Sequence, residues 1–420
     1  MLEKLLADIR SNDKDTHRQA ATALGKLARS GTLSLADAQT LLRAAASGDW
    51  PTTEHTWEDA SAQLVHAARD IAKDKQPDAL LPLLDECTPR MTLPARVAAL
   101  HLPVLSTSPQ AVAVYLRCLR TLAGKNTDLP IMTFPVSAGP QVARALFPAA
   151  LELARDPALA YPLFANLLEF RNADLLPADI AKPFHTSMTN VLTAELARAR
   201  ALQRTTGLGW RDEAPYDIHR SMIGLMFDLA GVLSSKSLLS TTHSASDLVD
   251  PRLRRFRAVS LLRNNVNVSD EELAWIALSP PDRWWLFRQL HDIKCPQRLP
   301  PACRDQAKLA EGNMADWLTF GTELGREPDE IELIHVETRN ASQGPRLMRW
   351  LSKREPVDYY FFKFRVTEEH WSQENGWMVG MAGGYARAAQ PTTDHDGGTF
   401  SKFDSLESKS IKEHVAEYLS

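Results

Sequence analysis

The densest chemistry in this sequence lies between Pro251 and Arg288. Residues 251–269 hold five arginines, Arg252, Arg254, Arg255, Arg257 and Arg263, and no acidic residue. Trp275, Arg283, Trp284, Trp285 and Arg288 follow within one or two helices' length. Guanidinium forks match phosphates and carboxylates, and indole faces stack on bases, so the set suits nucleic acid or an acidic protein segment. A helix turns once every 3.6 residues or so, which spreads these arginines around the whole axis. That spread favours a different use, in which the arginines meet acidic residues of neighbouring helices and the tryptophans fill the core. Arg252, Arg254, Arg255, Arg257, Trp284, Trp285 and Arg288 are the candidate binding residues.

Other clusters are weaker. His291, Cys295 and Cys303 follow H-x3-C-x7-C, a set of three zinc-type ligands without a fourth. Pro296, Pro300 and Pro301 stiffen that stretch, so packing of a turn is the expectation and no metal is assigned. Asp394, His395 and Asp396 precede Gly397 and Gly398, the composition of a tight connection between strands. The run GMAGGY at 380–385 lacks the Gly-Lys-Ser/Thr ending of a phosphate loop and reads as a bent strand. There is no G-x-S-x-G elbow, H-E-x-x-H helix or catalytic cysteine signature, so no catalytic residue and no cofactor is assigned. A triad assembles in space from distant residues, so turnover stays open while binding is favoured.

The elements that position these residues belong to a chain of 420 residues, 44% hydrophobic and 24% charged, ample for a sizeable core. With 48 Lys+Arg against 52 Asp+Glu, bulk positive charge is not what holds a partner. The first 330 residues balance 37 basic against 39 acidic, which removes a groove-wide positive field. The opening MLEKLLADIRSND carries Glu3 and Asp8 where an export signal needs a basic start and an apolar run. No stretch approaches a membrane span, and the four scattered cysteines suggest reduced thiols; the expected location is the cytoplasm.

Composition shifts at about residue 327. From Ile331 onward the chain holds twelve of its 31 aromatic residues and seven of its 19 glycines, a strand-forming mixture. Strands are expected at 331–338, 358–366, 376–386 and 397–403, and a helix at 410–419, giving an antiparallel sheet with a helix on one face. The preceding part is Ala- and Leu-rich at helical spacing. Ala20, Ala23, Leu24 and Leu27 line one face of a helix over 13–28, with Gly31 at its stop and a second helix over 33–46. Similar starts near Glu54, Thr92, Ala138, Pro177, Tyr216, Asp250 and Pro281 suggest about seven stacked helical pairs. Fourteen of the 26 prolines fall between Pro77 and Pro183, which predicts many short helices, with Pro148 kinking or splitting its own. Eight Ser or Thr in the thirteen residues 234–246 predict a mobile surface loop.

The segment DKDTHRQAATALGKL at 13–27 resembles the first helix of the short HEAT-like repeats of bacterial proteins: acidic start, Arg, Ala pair, Leu-Gly-x-Leu ending. Asp250 to Ala258 (DPRLRRFRA) is similar, except that Arg257 stands where a small residue is usual. WLTFGTELGR ending at Arg326 and PDEIEL ending at Leu333 resemble the join between such repeats and a C-terminal αβ module. The resemblance implies a mainly α fold: an α-solenoid of HEAT-like pairs over 1–326, then a small α+β domain with an antiparallel sheet over 327–420. It implies extended binding surfaces. The expected function is a non-enzymatic scaffold or adaptor binding another protein, within a bacterial operon-encoded complex or as a toxin antagonist. Tyr359, Tyr360, Trp371 and Trp377 are expected anchors if they face solvent. The alternative is a nucleic-acid binder, or an enzyme like the HEAT-like alkylpurine DNA glycosylases, using residues 252–288.

Overall fold

The computed structural model describes residues 1–11, 13–47, 50, 59–125, 130–204, 206–207, 209–321, 327–342, 354–366, 376–386 and 404–419. Among them the chain is mostly helical, with a small antiparallel sheet near its C-terminus. The first helices are α1 (Leu2–Ile9), α2 (Lys14–Arg29), α3 (Leu35–Ala45), α4 (Ala60–Ala72), α5 (Leu81–Cys87), α6 (Leu93–Ala99), α7 (Pro109–Arg120), α8 (Gly139–Leu146), α9 (Ala149–Leu153) and α10 (Pro157–Asn172). Next come α11 (His185–Leu202), α12 (Ala214–Val232), α13 (Lys236–Ser244), α14 (Pro251–Arg263), α15 (Asp270–Ile276), α16 (Pro280–Asp292) and α17 (Gln306–Phe320). Strands β1 (Glu330–Ser342), β2 (Arg354–Arg365), β3 (Met378–Ala386) and β4 (Asp404–Ser405) precede α18 (Ile411–Tyr418).

By packing, the chain divides into two compact units, Met1–Arg198 with Ser221–Thr241, and Ala199–Arg220 with Thr242–Ser420. This division is distinct from the compositional change at residue 327, because α17 shares a core with the sheet that follows it.

In the first unit the helix starts are written in side-chain caps. Asp13 accepts the Thr16 amide at 2.9 Å to open α2, and Ser34 and Asp37 form a capping box at α3. Ala20, Leu24 and Ala28 are buried along one face of α2, and Gly31 follows at φ +75°, where a side chain would strain the backbone. Asp59 caps α4 and accepts the Thr92 hydroxyl at 2.9 Å, while Thr92 caps α6, so one hydrogen bond joins two helix starts. As expected, the chain breaks its helix at Pro148, between α8 and α9.

The expected mobile loop at 234–246 is instead helical over α13. Ser235 accepts the Leu238 amide at 3.3 Å, and Leu238 and Thr242 are fully buried. Serine and threonine took cap and core positions there, which composition alone does not reveal.

In the second unit the sheet runs β1-β2-β3-β4, antiparallel throughout. Strands appear where expected at 331–338, 358–366 and 376–386, whereas the fourth expected strand at 397–403 lies outside the described residues. One face carries Phe361, Val379 and Met381 against Val415 and Tyr418 of α18. The other lies on α17, where Met314 occupies the space a side chain at Gly380 would need and Asn313 donates to the Tyr385 hydroxyl at 2.6 Å. The GMAGGY run is a bent strand, as expected: register slips opposite Asp358 and Tyr359, and Gly384 sits at φ +76°.

Candidate functional site

The arginine and tryptophan residues of the candidate site sit on α14 and α16 in the second unit. Asp250 caps α14, its carboxylate accepting the Arg252 amide at 2.9 Å, with Pro251 in the first turn. Asp250 is wholly buried and takes the Tyr216 hydroxyl at 3.0 Å. Burial pushes its carboxyl above the ordinary range, against the lowering pull of Arg211.

Beyond this cap α14 is enclosed nearly all round, and four of its five arginines, Arg252, Arg254, Arg255 and Arg257, are paired inside the protein. Arg252 reaches Asp212 at 3.2 Å and Glu327 at 3.3 Å, with its guanidinium over the Phe320 ring. Arg255 meets Asp282 at 2.8 Å, where Asp282 has no exposed surface, and lies 4.5 Å from the Trp285 ring centroid. Arg254 and Arg257 share one oxygen of Glu272, at 2.8 and 2.6 Å. Arg257 also donates to the carbonyls of Thr242 and His243, at 3.0 and 2.6 Å. Arg257 thereby ties α14 to the end of α13 and the start of α15. On α16, Arg283 reaches Glu311 at 2.8 Å and two carbonyls besides.

The arrangement is one of charge pairing across helices, the second of the two uses the sequence allowed. Of the candidate residues, only Arg288 is exposed. Trp284 is core, edge-on to Tyr385 at 6.3 Å, and Trp285 is half-buried. Asp316 on α17 sits among these charges, and burial raises its carboxyl despite the nearby Arg255 and Arg288. Its place beside the buried Asp282 adds to that rise. Sequence reasoning missed every carboxylate partner: Asp212, Glu272, Asp282, Glu311 and Glu327. Each lies fifteen or more residues from its arginine, with no local spacing rule to join them.

The other clusters resolve simply. His291 is exposed while Cys295 and Cys303 are half-buried, and among the described residues no group of His, Cys, Asp and Glu could hold a metal. Residues 394–398 lie outside the described residues. Among the expected aromatic anchors, Tyr360 is buried in the sheet and Tyr359 packs on the core beneath α18. Trp377 is half-buried between Lys363 and Arg365, and Trp371 lies outside the described residues. None of the three described anchors is exposed. Large apolar side chains are exposed elsewhere among the described residues, Ile218, Phe320 and Tyr161 among them, and Trp275 at 37% and Leu278 at 75% stand one turn apart at the end of α15.

At the opposite ends of α14 and α16 the two helices stop identically. Asn265 (φ +57°) and Lys294 (φ +59°) take left-handed conformations. The amides of Val266 and Cys295 return to Leu261 and Leu290 at 2.9 and 2.8 Å. α10 ends the same way at Asp174, with Leu175 returning to Phe170 at 3.0 Å. Between the ends of α14 and α16 opens a cleft of about 540 Å³.

No protein-family model, curated protein or solved structure matches the chain. What the structure defines is a mainly helical protein bearing a small antiparallel sheet, in which no helix among the described residues is long and apolar enough to cross a membrane.

Proposed function

We propose that this chain is a non-enzymatic protein-binding scaffold or adaptor: an α-solenoid of HEAT-like pairs over 1–326 sealed by an α+β module over 327–420. The observation that carries the reading is how surface and interior divide the chemistry of α14 to α16. The α14 arginines at 252, 254, 255 and 257 are paired with carboxylates, while Trp275 and Leu278 stand at the surface. A face whose guanidinium groups are already neutralised has little to offer phosphates, whereas an exposed tryptophan beside a leucine suits a protein partner. Arg254 lies 5.0 Å from the Trp275 ring centroid and is itself held by Glu272, which stiffens the ring in place. The recurrence of one helix ending at α10, α14 and α16 supports repetition of a helical unit. The partner belongs to a bacterial operon-encoded complex or is a toxin, and the location is the cytoplasm.

The test is capture from native lysate by tagged full-length protein, split into nuclease-treated and untreated halves and read by mass spectrometry, alongside Trp275→Ala and Leu278→Asp variants. A stoichiometric protein that survives nuclease and is lost with either variant, at unchanged circular dichroism, supports the reading. Partners that vanish with nuclease overturn it.

A further inference from the structure

We propose that the cleft between the ends of α14 and α16 is a binding site for a small oxyanion carrying an apolar body. Its apolar lining comes from Leu262, Val266 and Ile293. Its polar lining is made of donors and amides, and it includes Arg263 and Arg298 but no carboxylate. A volume of about 540 Å³ is that of a small-molecule site, and its wall mixes apolar side chains with polar ones, two of them arginines.

The two arginines distinguish this cleft from the rest of the unit. On α14 the other arginines each meet a carboxylate within 3.3 Å. Arg263 is the exception: among the described residues it pairs with no acid and donates only to the neutral amide oxygen of Gln289 at 3.2 Å. Arg298 donates from both terminal nitrogens to the side-chain oxygen of Asn267, itself a cleft residue, and to the Val268 carbonyl, while its acidic neighbour Asp270 is 3.5 Å away and largely exposed. Water screens so exposed a partner. Two half-buried arginines therefore line one cleft beside Leu262, Val266 and Ile293, Arg263 with no acidic partner among the described residues and Arg298 with only a solvent-screened one. Guanidinium forks bind carboxylate and phosphate through paired charge-assisted hydrogen bonds, and the apolar lining takes the hydrocarbon that follows.

The two head groups share this chemistry and are separated by titrating full-length protein with octanoate, octyl phosphate and octanol by calorimetry. Octanoate or octyl phosphate is expected to bind, with the tighter one naming the head group, and octanol to bind at least tenfold more weakly. Arg263→Gln is expected to weaken the anion by about tenfold or more, the worth of a charge-assisted bond. Arg200→Gln, which alters a surface pair with Asp247 outside the cleft, is expected to leave affinity unchanged. Arg263 has one neutral partner, so its replacement spares the fold even if Arg298→Gln disturbs the loop it braces. Cys295 lines the cleft, and its alkylation by N-ethylmaleimide, followed on the tryptic peptide, is expected to slow at saturating anion while that of Cys303 does not. The proposal is overturned if neither anion binds at millimolar concentration, if octanol matches them, or if Arg263→Gln leaves the affinity unchanged.

Discussion

Arg255 on α14 holds Asp282 on α16 at 2.8 Å in a setting where the carboxylate has no exposed surface and the arginine 6%. The second oxygen of Asp282 and the Nε of Arg255 have no hydrogen-bond partner, so this pair is bought at the cost of incomplete solvation. Asp282→Ala leaves a buried cation without its counterion and is expected to destabilise by about 3–5 kcal/mol. Replacing both, Arg255→Met with Asp282→Leu, is expected to lie within about 1–2 kcal/mol of the parent, because an apolar pair needs no solvation. Urea unfolding of the parent, both single variants and the double variant measures the cycle. Additive losses would show that the pair does not act as a unit.

Gly312 of α17 is packed so closely on α16 that a methyl group there would lie 2.5 Å from the Pro280 carbonyl oxygen and 2.9 Å from Trp284 Cβ. In a free helix Gly→Ala gains about 1 kcal/mol. Here backbone must move to admit the methyl, a cost of about 1–3 kcal/mol, so Gly312→Ala is expected to lower the thermal midpoint. A rise would mean that α16 and α17 are less tightly apposed.

His66 on α4 and His101 after α6 meet edge to face at 5.2 Å. Burial, then the neighbouring imidazole and Arg69, hold His101 down to about 4, and burial with Arg69 lowers His66. An unfolded histidine titrates near 6.5 or so, so below that pH the unfolded chain binds more protons than the folded one. The pair's contribution is therefore complete above about pH 6.5 and is lost as pH falls toward 4. His101→Gln is expected to flatten the pH dependence of stability between those limits, read by denaturant midpoints. An unchanged slope would show that the pair is solvated.

Truncation after Arg326 removes the sheet from α17 and uncovers Met314 and Asn313, which pack on Gly380 and Tyr385. The shortened chain is expected to unfold at lower denaturant or to aggregate, and size-exclusion chromatography with a melting curve decides it. A well-behaved monomer with unchanged stability would make the sheet an independent body.

Nucleic acid provides a further check. Because Arg254 and Arg255 are paired internally, their change to alanine is expected to lower stability without altering any salt dependence of nucleic-acid binding. A steep salt slope that these changes flatten would return the site to phosphate.

Much of the local structure was legible because its causes are local. Helix starts expected at Asp13, near Thr92 and at Asp250 are capped by those residues, Gly31 stops α2, Pro148 splits α8 from α9, and glycine and aromatic runs mark β2 and β3. These are effects of backbone dihedral freedom, missing amides and side-chain bonds to amides two or three residues away. The seryl stretch over α13 failed the same test, because whether Ser235 and Thr242 face water or core depends on what packs against them.

The arginines mark the same limit. Their residue types and their spread around the α14 axis follow from the sequence, and that spread already argued for pairing. Which acid each arginine meets, and that Arg263 is left facing a cleft, was decided by the packing of α14 against α15, α16 and α17. Electrostatic partners are chosen by distance in space, and the carboxylates that neutralise α14 arrive from segments the chain brings back only on folding.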